Sequence, residues 1–370
     1  MSYKKKIVVK SDSKNNVLIA TTLTYNRNFF QKYPSILSRI RSHRRQESNK
    51  PIEVIPSVNY ATFSYTNVTY KHATSPVCDP DLNLLYWVDA LNQNVHALDW
   101  NTGKQIKRHI DYGEVNFIVP IQNSNRVLLG VKSELYLLDW EVEGSAGLRL
   151  VTLVDQGQPD NTLNEGKADA LGRLWAGTKG AQSGNMVVPD NGALYKFEQP
   201  DFFPHVVLKP VSISNALAWS LNNSVLYYID SATKKIEAFD FDLERGHISK
   251  RRTIFDITEY GYEKATPDGM TIDKDGMLWV ALMFGGSVIR VDPNAKRIIE
   301  LYELPVTGVS SVGWAGPDLD QLIVTTSRRN MDQEFSSHEP LAGSLFILTN
   351  TGTAGVPSFK VAFENADEYR

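Results

Sequence analysis

Six times along the chain, an apolar segment breaks at a short polar gap and resumes as a second apolar segment ending in an acid or an aromatic. "LLYWVDALNQNVHALDW" begins at Leu84 and "VLLGVKSELYLLDW" at Val127. "RLWAGTKG", later joined by "GALYKF", begins at Arg173, and "VLYYIDSATKKIEAFDFD" begins at Val225. "MLWVALMFGGSVIRVD" begins at Met277, and "QLIVTTSR", later joined by "GSLFIL", begins at Gln321. The starts are spaced 43, 46, 52, 52 and 44 residues apart. Each segment is rich in Val, Leu, Ile, Tyr and Trp, the side chains that suit a pleated, half-buried surface. Asn, Gly and Asp stand between them as turn residues. No amphipathic helix of similar strength interrupts the series. Repeats of roughly 40 to 50 residues, each with about four strands, are the mark of propeller blades. The pattern predicts an all-β chain: a six-bladed β-propeller over residues 56–370.

Residues 1–55 are different. The first fifty hold twelve Lys and Arg against two Asp and Glu, whereas the rest hold 27 against 40. A basic N-terminal extension therefore precedes an acidic body, and composition makes a flexible arm the expectation for residues 1–55. The acidic body argues against nucleic acid as the main partner, since phosphate contacts supply most of that affinity. No apolar run reaches the length of a membrane span, and the N-terminus lacks a secretory signal. One cysteine, Cys78, fits a reducing compartment, so a cytoplasmic location is expected. Sparse acids with frequent Ser and Arg in the arm leave mitochondrial targeting as the alternative.

The first strand of a blade lines the central channel. Equivalent positions in six blades thus converge on one axis from distant stretches of chain. About ten residues before each strong strand stand Thr74, Asn116, Asn164, Asn215, Asp268 and Ser310 or Ser311. These are small, oxygen-bearing side chains. They suit one divalent metal, Ca²⁺ or else Zn²⁺ or Mn²⁺ with open positions. The alternative is that Asn and Asp here only form turns. Glu114, two residues before Asn116, shares its strand face, whereas Glu165 should point away from the face of Asn164. The seven histidines form no metal-binding pair; His72 reads as a satisfied histidine and Cys78 as a buried apolar residue. Trp87, Trp175, Trp279 and Trp314 read as packing between blades. No Gly-x-Ser-x-Gly elbow supports serine hydrolase chemistry.

Four segments, "ISNALAWSLNNSVLYYIDSATKKIEAFDFD", "ATPDGMTIDKDGMLWVALMFGGSVIRVDP", "LNEGKADALGRLWAGTKG" and "SPVCDPDLNLLYWVDALNQNVHALDW", occur in order and correctly spaced. In them the chain resembles the SMP-30/gluconolactonase/luciferin-regenerating-enzyme family, and its regucalcin-like branch most. The resemblance covers residues 56–350. It implies a six-bladed propeller with one divalent metal in the channel and hydrolysis of a sugar lactone. It implies Asn215 and Asp268 as metal ligands, Asn164 as a substrate ligand, and Asp268 as the catalytic residue. Metal-bound hydroxide, or water deprotonated by Asp268, would attack the lactone carbonyl. Three positions depart from the family. Thr74 stands where a metal-binding Glu is expected, Thr162 where an Arg grips substrate, and Gln182 where a further Glu is expected. Metal affinity follows the charge of the ligand set, so Thr74 should weaken it, and Thr162 removes a rigid multi-donor fork for the substrate's oxygens. Two readings follow: weak or altered lactone hydrolysis, or a lapsed member that binds calcium or another small molecule in the channel.

Overall fold

The computed structural model describes residues 20–24, 62–66, 68–329 and 338–363. Its sheets form six blades, each beginning with a strand that faces the central channel. The six inner strands are Ala73–Asp79, Val115–Pro120, Thr162–Ala168, Ser214–Trp219, Thr266–Ile272 and Val309–Ala315. Blades 1 to 5 are four-stranded antiparallel sheets built in chain order. Blade 3 carries an additional short hairpin, Gln182–Ser183 with Met186–Val187, between its second and third strands.

Blade 6 is assembled from both ends of the propeller. Val309–Ala315, Gln321–Thr326 and Phe346–Thr349 come from its C-terminal side, and Thr62–Thr66 from its N-terminal side pairs with Phe346–Thr349. This shared sheet closes the ring and leaves no seam held by side chains alone. Ala20–Thr24, within the basic extension, adds a fifth strand on Thr62–Thr66. The rest of residues 1–55 lies outside the described residues, and with it the expectation of a flexible arm.

Apolar faces of neighbouring blades pack on one another. One buried cluster joins blades 1 and 2 through Tyr86, Val88, Ile118 and Leu129, and another joins blades 4 and 5 through Ile229, Ile236, Val280 and Leu282. Trp87, Trp175 and Trp279 are fully buried and Trp314 nearly so, which places all four between blades as expected. Cys78 is buried beside them.

Two carboxylates tie down two of these tryptophans, Trp175 and Trp279. Asp169 accepts the backbone N–H of Leu171 and Arg173, the Arg173 side chain at 2.7 Å and the Trp175 indole at 2.8 Å. Asp273 repeats the device in blade 5, accepting from the Asp275 and Met277 backbone, Trp279 Nε1 and Arg290 Nε. A buried carboxylate is tolerated where every lone pair is filled and a cation sits beside it.

His96 gives the fold a measurable pH response. Its ring is buried and stacks on Trp87 at 5.0 Å, with Nδ1 paired to Gln105 at 3.1 Å. Burial pushes its pKa down to about 3. The unfolded chain takes up this proton near pH 6.5 and the folded chain does not. The stabilisation is complete above that pH and declines as pH falls towards 3, by about 2 kcal/mol at pH 5. Chemical denaturation of wild type and His96→Phe at pH 7.5 and 5 should show the variant gaining about 2 kcal/mol relative to wild type on acidification. An unchanged difference would place the ring nitrogen in contact with water.

Candidate active site

The inner strands share one irregularity. In each, register with the second strand slips near its start. The slip falls between Val115 and Phe117, Leu163 and Glu165, Ser214 and Leu217, Pro267 and Met270, and Val309 and Ser311. Asn116, Asn164, Asn215, Asp268 and Ser310 are the residues thrown out of register. A bulge frees one residue from the ladder and re-aims its side chain. The repeat thus brings together the residues that its period singled out. In blade 1 the slip lies between Thr74 and Val77, and Ser75 occupies it at a φ of +52°. Thr74 stands one residue outside this register, still paired opposite Val88, and is buried.

Asn215 Nδ2 donates to Asp268 Oδ1 in a short contact, and also to Ser231 Oγ at 3.0 Å. Ser231 Oγ in turn donates to the Pro267 carbonyl at 2.7 Å. Ser231 has spent its proton, so it must accept from Asn215, and that fixes the amide with its oxygen turned away. Asn164 Nδ2 donates to the Ser214 carbonyl at 2.9 Å, and Asn116 Nδ2 to that of Leu163 at 2.8 Å. The amides lock one inner strand to the next. Gly269 is required here, because a Cβ would stand 2.0 Å from Ser311 Oγ on the next inner strand.

The electrostatics centre on Asp268. Burial raises its pKa to about 7; the Asn215 hydrogen bond pulls it down, the Glu165 charge adds to the rise, and Lys179 and Arg329 oppose it. Lys179 is itself buried, which lowers its pKa, while Glu114 raises it. Glu114 Oε1 lies 3.8 Å from Lys179 Nζ and 3.7 Å from an Arg329 nitrogen. His72 Nδ1 pairs with Ser327 Oγ at 2.7 Å, and burial with the two cations lowers its pKa to about 3.

One expectation changes. Glu165 does not point away from the channel. Its Oε1 lies 3.4 Å from Ser75 Oγ, contributed by blade 1, and burial raises its pKa to about 7. The bulge at Asn164 is the cause: the extra residue breaks the two-residue alternation, so consecutive side chains both reach the channel. Glu114 does share the mouth, but its charge is engaged by two cations. Lys179 and Arg329 were not singled out by the repeat, because Lys179 ends the second strand of blade 3 and Arg329 follows that of blade 6, away from the inner-strand register. A buried Lys directly behind the apolar "LWAGT" is the one signal that could have found the first. Of the positions that depart from the family, Thr162 pairs opposite Lys179, and its buried hydroxyl has no hydrogen-bond partner among the described residues. Gln182 Nε2 is turned into its own hairpin, donating to Gly184 O at 3.0 Å.

These donors do not fit a tightly held divalent cation. Asp268 is the one carboxylate in contact with the asparagine set, and two side-chain cations act on it. Thr74 brings no charge. Among the described residues no group of three or more His, Cys, Asp or Glu is arranged to hold a metal.

Residues 72–328 match the family described as SMP-30/Gluconolactonase/LRE-like region. Regucalcin of Xenopus laevis is 35% identical over 294 residues, covering 78% of this chain and 94% of that protein. A solved luciferin-regenerating enzyme superposes with a TM-score of 0.74 at 29% identity, covering 80% of this chain and 96% of that one. A structure described as a calcium-binding protein, regucalcin, from Agrobacterium tumefaciens superposes at 0.69 with 23% identity, covering 80% and 95%, a likeness that speaks to the fold alone. The six-bladed propeller expected from the repeat is the fold these comparisons share. No helix among the described residues is long and apolar enough to cross a membrane.

Proposed function

This chain belongs to the SMP-30/gluconolactonase/LRE-like family, and on that premise we propose that it hydrolyses a sugar lactone with Asp268 as the general base and the Lys179–Arg329 pair in place of a tightly bound metal. The observation that carries the reading is the placement of Asp268, a carboxyl at the channel mouth held by Asn215, itself fixed by Ser231; burial there raises its pKa to about 7, against the pull of Lys179 and Arg329. A general base works best when its pKa lies near the working pH. Ionised Asp268 accepts a proton from water as the water oxygen attacks the lactone carbonyl carbon. The negative charge that develops on the carbonyl oxygen is stabilised by the neighbouring cations, an effect worth most where water is scarce. Collapse breaks the bond to the ring oxygen, which takes the proton back from Asp268. The product is an open-chain hydroxy acid, whose carboxylate also suits the cationic mouth. Asn215 holds the Asp268 carboxyl in place, and Asn164, whose amide N–H is spent on the Ser214 carbonyl, presents its oxygen to a substrate hydroxyl.

The second reading is a lapsed member that binds calcium or another small molecule. Thr74 favours it, since it removes the second carboxylate. The two readings separate in one experiment. Hydrolysis of several aldonolactones is followed for wild type, Lys179→Met and Thr74→Glu, each with and without Ca²⁺, Zn²⁺ or Mn²⁺. The lactonase reading expects turnover by wild type without added metal and a loss of about 10²-fold or more in Lys179→Met, as for removal of one oxyanion donor. Turnover absent from wild type but present in Thr74→Glu with metal would establish the lapsed reading.

A further inference from the structure

Below Asp268 the channel widens into a chamber of about 320 Å³. Its walls are the C-terminal ends of the inner strands, with Val77, Ala168, Trp219 and Ile272 among them, whereas Asn164, Asn215 and Asp268 stand at the opposite ends of those strands. The segment from Val356 to Phe359 crosses its open side. That strap is anchored: Lys360 Nζ lies 2.7 Å from both Asp79 Oδ1 and Asp81 Oδ2, and Val361 pairs with Ile121.

The walls mix apolar side chains with neutral polar ones such as Ser75, Asn223, Thr271 and Ser311, and their two charged residues are Glu165 and Lys167, which project from one strand. Glu165 is buried. Its Oε1 has only long contacts, 3.4 Å from Ser75 Oγ and 3.3 Å from Gly166 N, and its Oε2 accepts no hydrogen bond among the described residues. Lys167 Nζ donates one hydrogen bond, to the Met270 carbonyl at 2.5 Å, and keeps two donors. The two heads face one chamber without forming an ion pair with each other. Buried charged groups normally pair, because each costs several kcal/mol to desolvate alone.

We propose that this lower chamber is a second ligand site, and that it takes a small zwitterion with an apolar body, of the hydrophobic α-amino acid class. The ligand's ammonium meets the free oxygen of Glu165 and its carboxylate the spare donors of Lys167. Neither a lone cation nor a lone anion satisfies both heads, and either leaves a net charge in the chamber. The apolar side chain covers Trp219, Ile272 and the inner face of the strap.

Titration calorimetry on the full chain tests this with L-leucine, with 4-methylpentanoate, which lacks the ammonium, and with 3-methylbutylamine, which lacks the carboxylate. Leucine should bind wild type, and both analogues at least tenfold more weakly. Glu165→Gln and Lys167→Met should each weaken leucine at least tenfold, and Ala218→Leu, which fills the chamber from its wall, should abolish binding. Asp268→Asn changes the charge felt by Glu165 but touches no wall of the chamber, so it should keep leucine binding within about threefold of wild type, far from the tenfold losses at Glu165 and Lys167, which separates this site from the one above it. No heat from leucine with wild type, analogues that match leucine, or binding lost in Asp268→Asn and kept in Lys167→Met would each overturn the assignment.

Discussion

Asp268→Asn is expected to lower lactone turnover by about 10²- to 10⁴-fold, the usual contribution of a positioned general base, without weakening the fold. Asn retains an oxygen to accept the hydrogen bond from Asn215. Removing the carboxylate also removes a half-buried charge. In the folded protein the Asp268 pKa is about 7, far above its ordinary value. A carboxyl whose pKa is raised by folding loses stability as pH rises from the ordinary value to the raised one. At pH 8 the wild-type carboxylate is therefore a strain on the fold, and the neutral variant should melt at the same temperature or higher. The opposite movements of rate and stability distinguish a catalytic group from a structural one. A large drop in melting temperature together with the drop in rate would assign Asp268 to the scaffold.

The largest effect on stability is expected at Asp273. It holds four donors, including the Trp279 indole and the Arg290 guanidinium, with Arg290 Nη2 at 2.6 Å. Asp273→Ala leaves Arg290 buried with Glu300 and Asp275 as its remaining partners and orphans an indole N–H between blades 5 and 6. Breaking a buried pair by removing one partner costs about 3–5 kcal/mol, so denaturant unfolding should shift by that amount. Asp273→Asn keeps two acceptor positions for the backbone and should cost less. A loss below about 1 kcal/mol in Asp273→Ala would be the range of an exposed ion pair and would show that the blade packs without its carboxylate.

The sequence made the blades legible because a propeller repeats one physical problem. Each blade packs a neighbour on both faces, so its middle strands read as near-continuous apolar runs, and turn residues reverse the chain between them, so the period survives in composition alone. The closing strand Thr62–Thr66 left no such trace; it is short, and its place in blade 6 is set by pairing with Phe346–Thr349 rather than by its own pattern. At the site, Asn164, Asn215 and Asp268 were legible for the same reason as the blades: they occupy one register. What the repeat could not carry was the consequence of the bulge. Alternation assigns Glu165 to the wrong side, and the extra residue at Asn164 reverses that assignment. Lys179 and Arg329 were hidden for a second reason. They reach the mouth from the ends of second strands in two different blades, and only closure of the ring brings their charges near Glu114 and Asp268.

The central claim is that Asp268, flanked by cations, activates water without a tightly bound metal. The most direct test is the pH–rate profile of aldonolactone hydrolysis by the purified chain, measured with and without a chelator. Turnover should survive the chelator, and kcat/KM should rise with pH to a plateau above about 7, as Asp268 ionises. Turnover that vanishes with the chelator and returns with a divalent cation would contradict that claim.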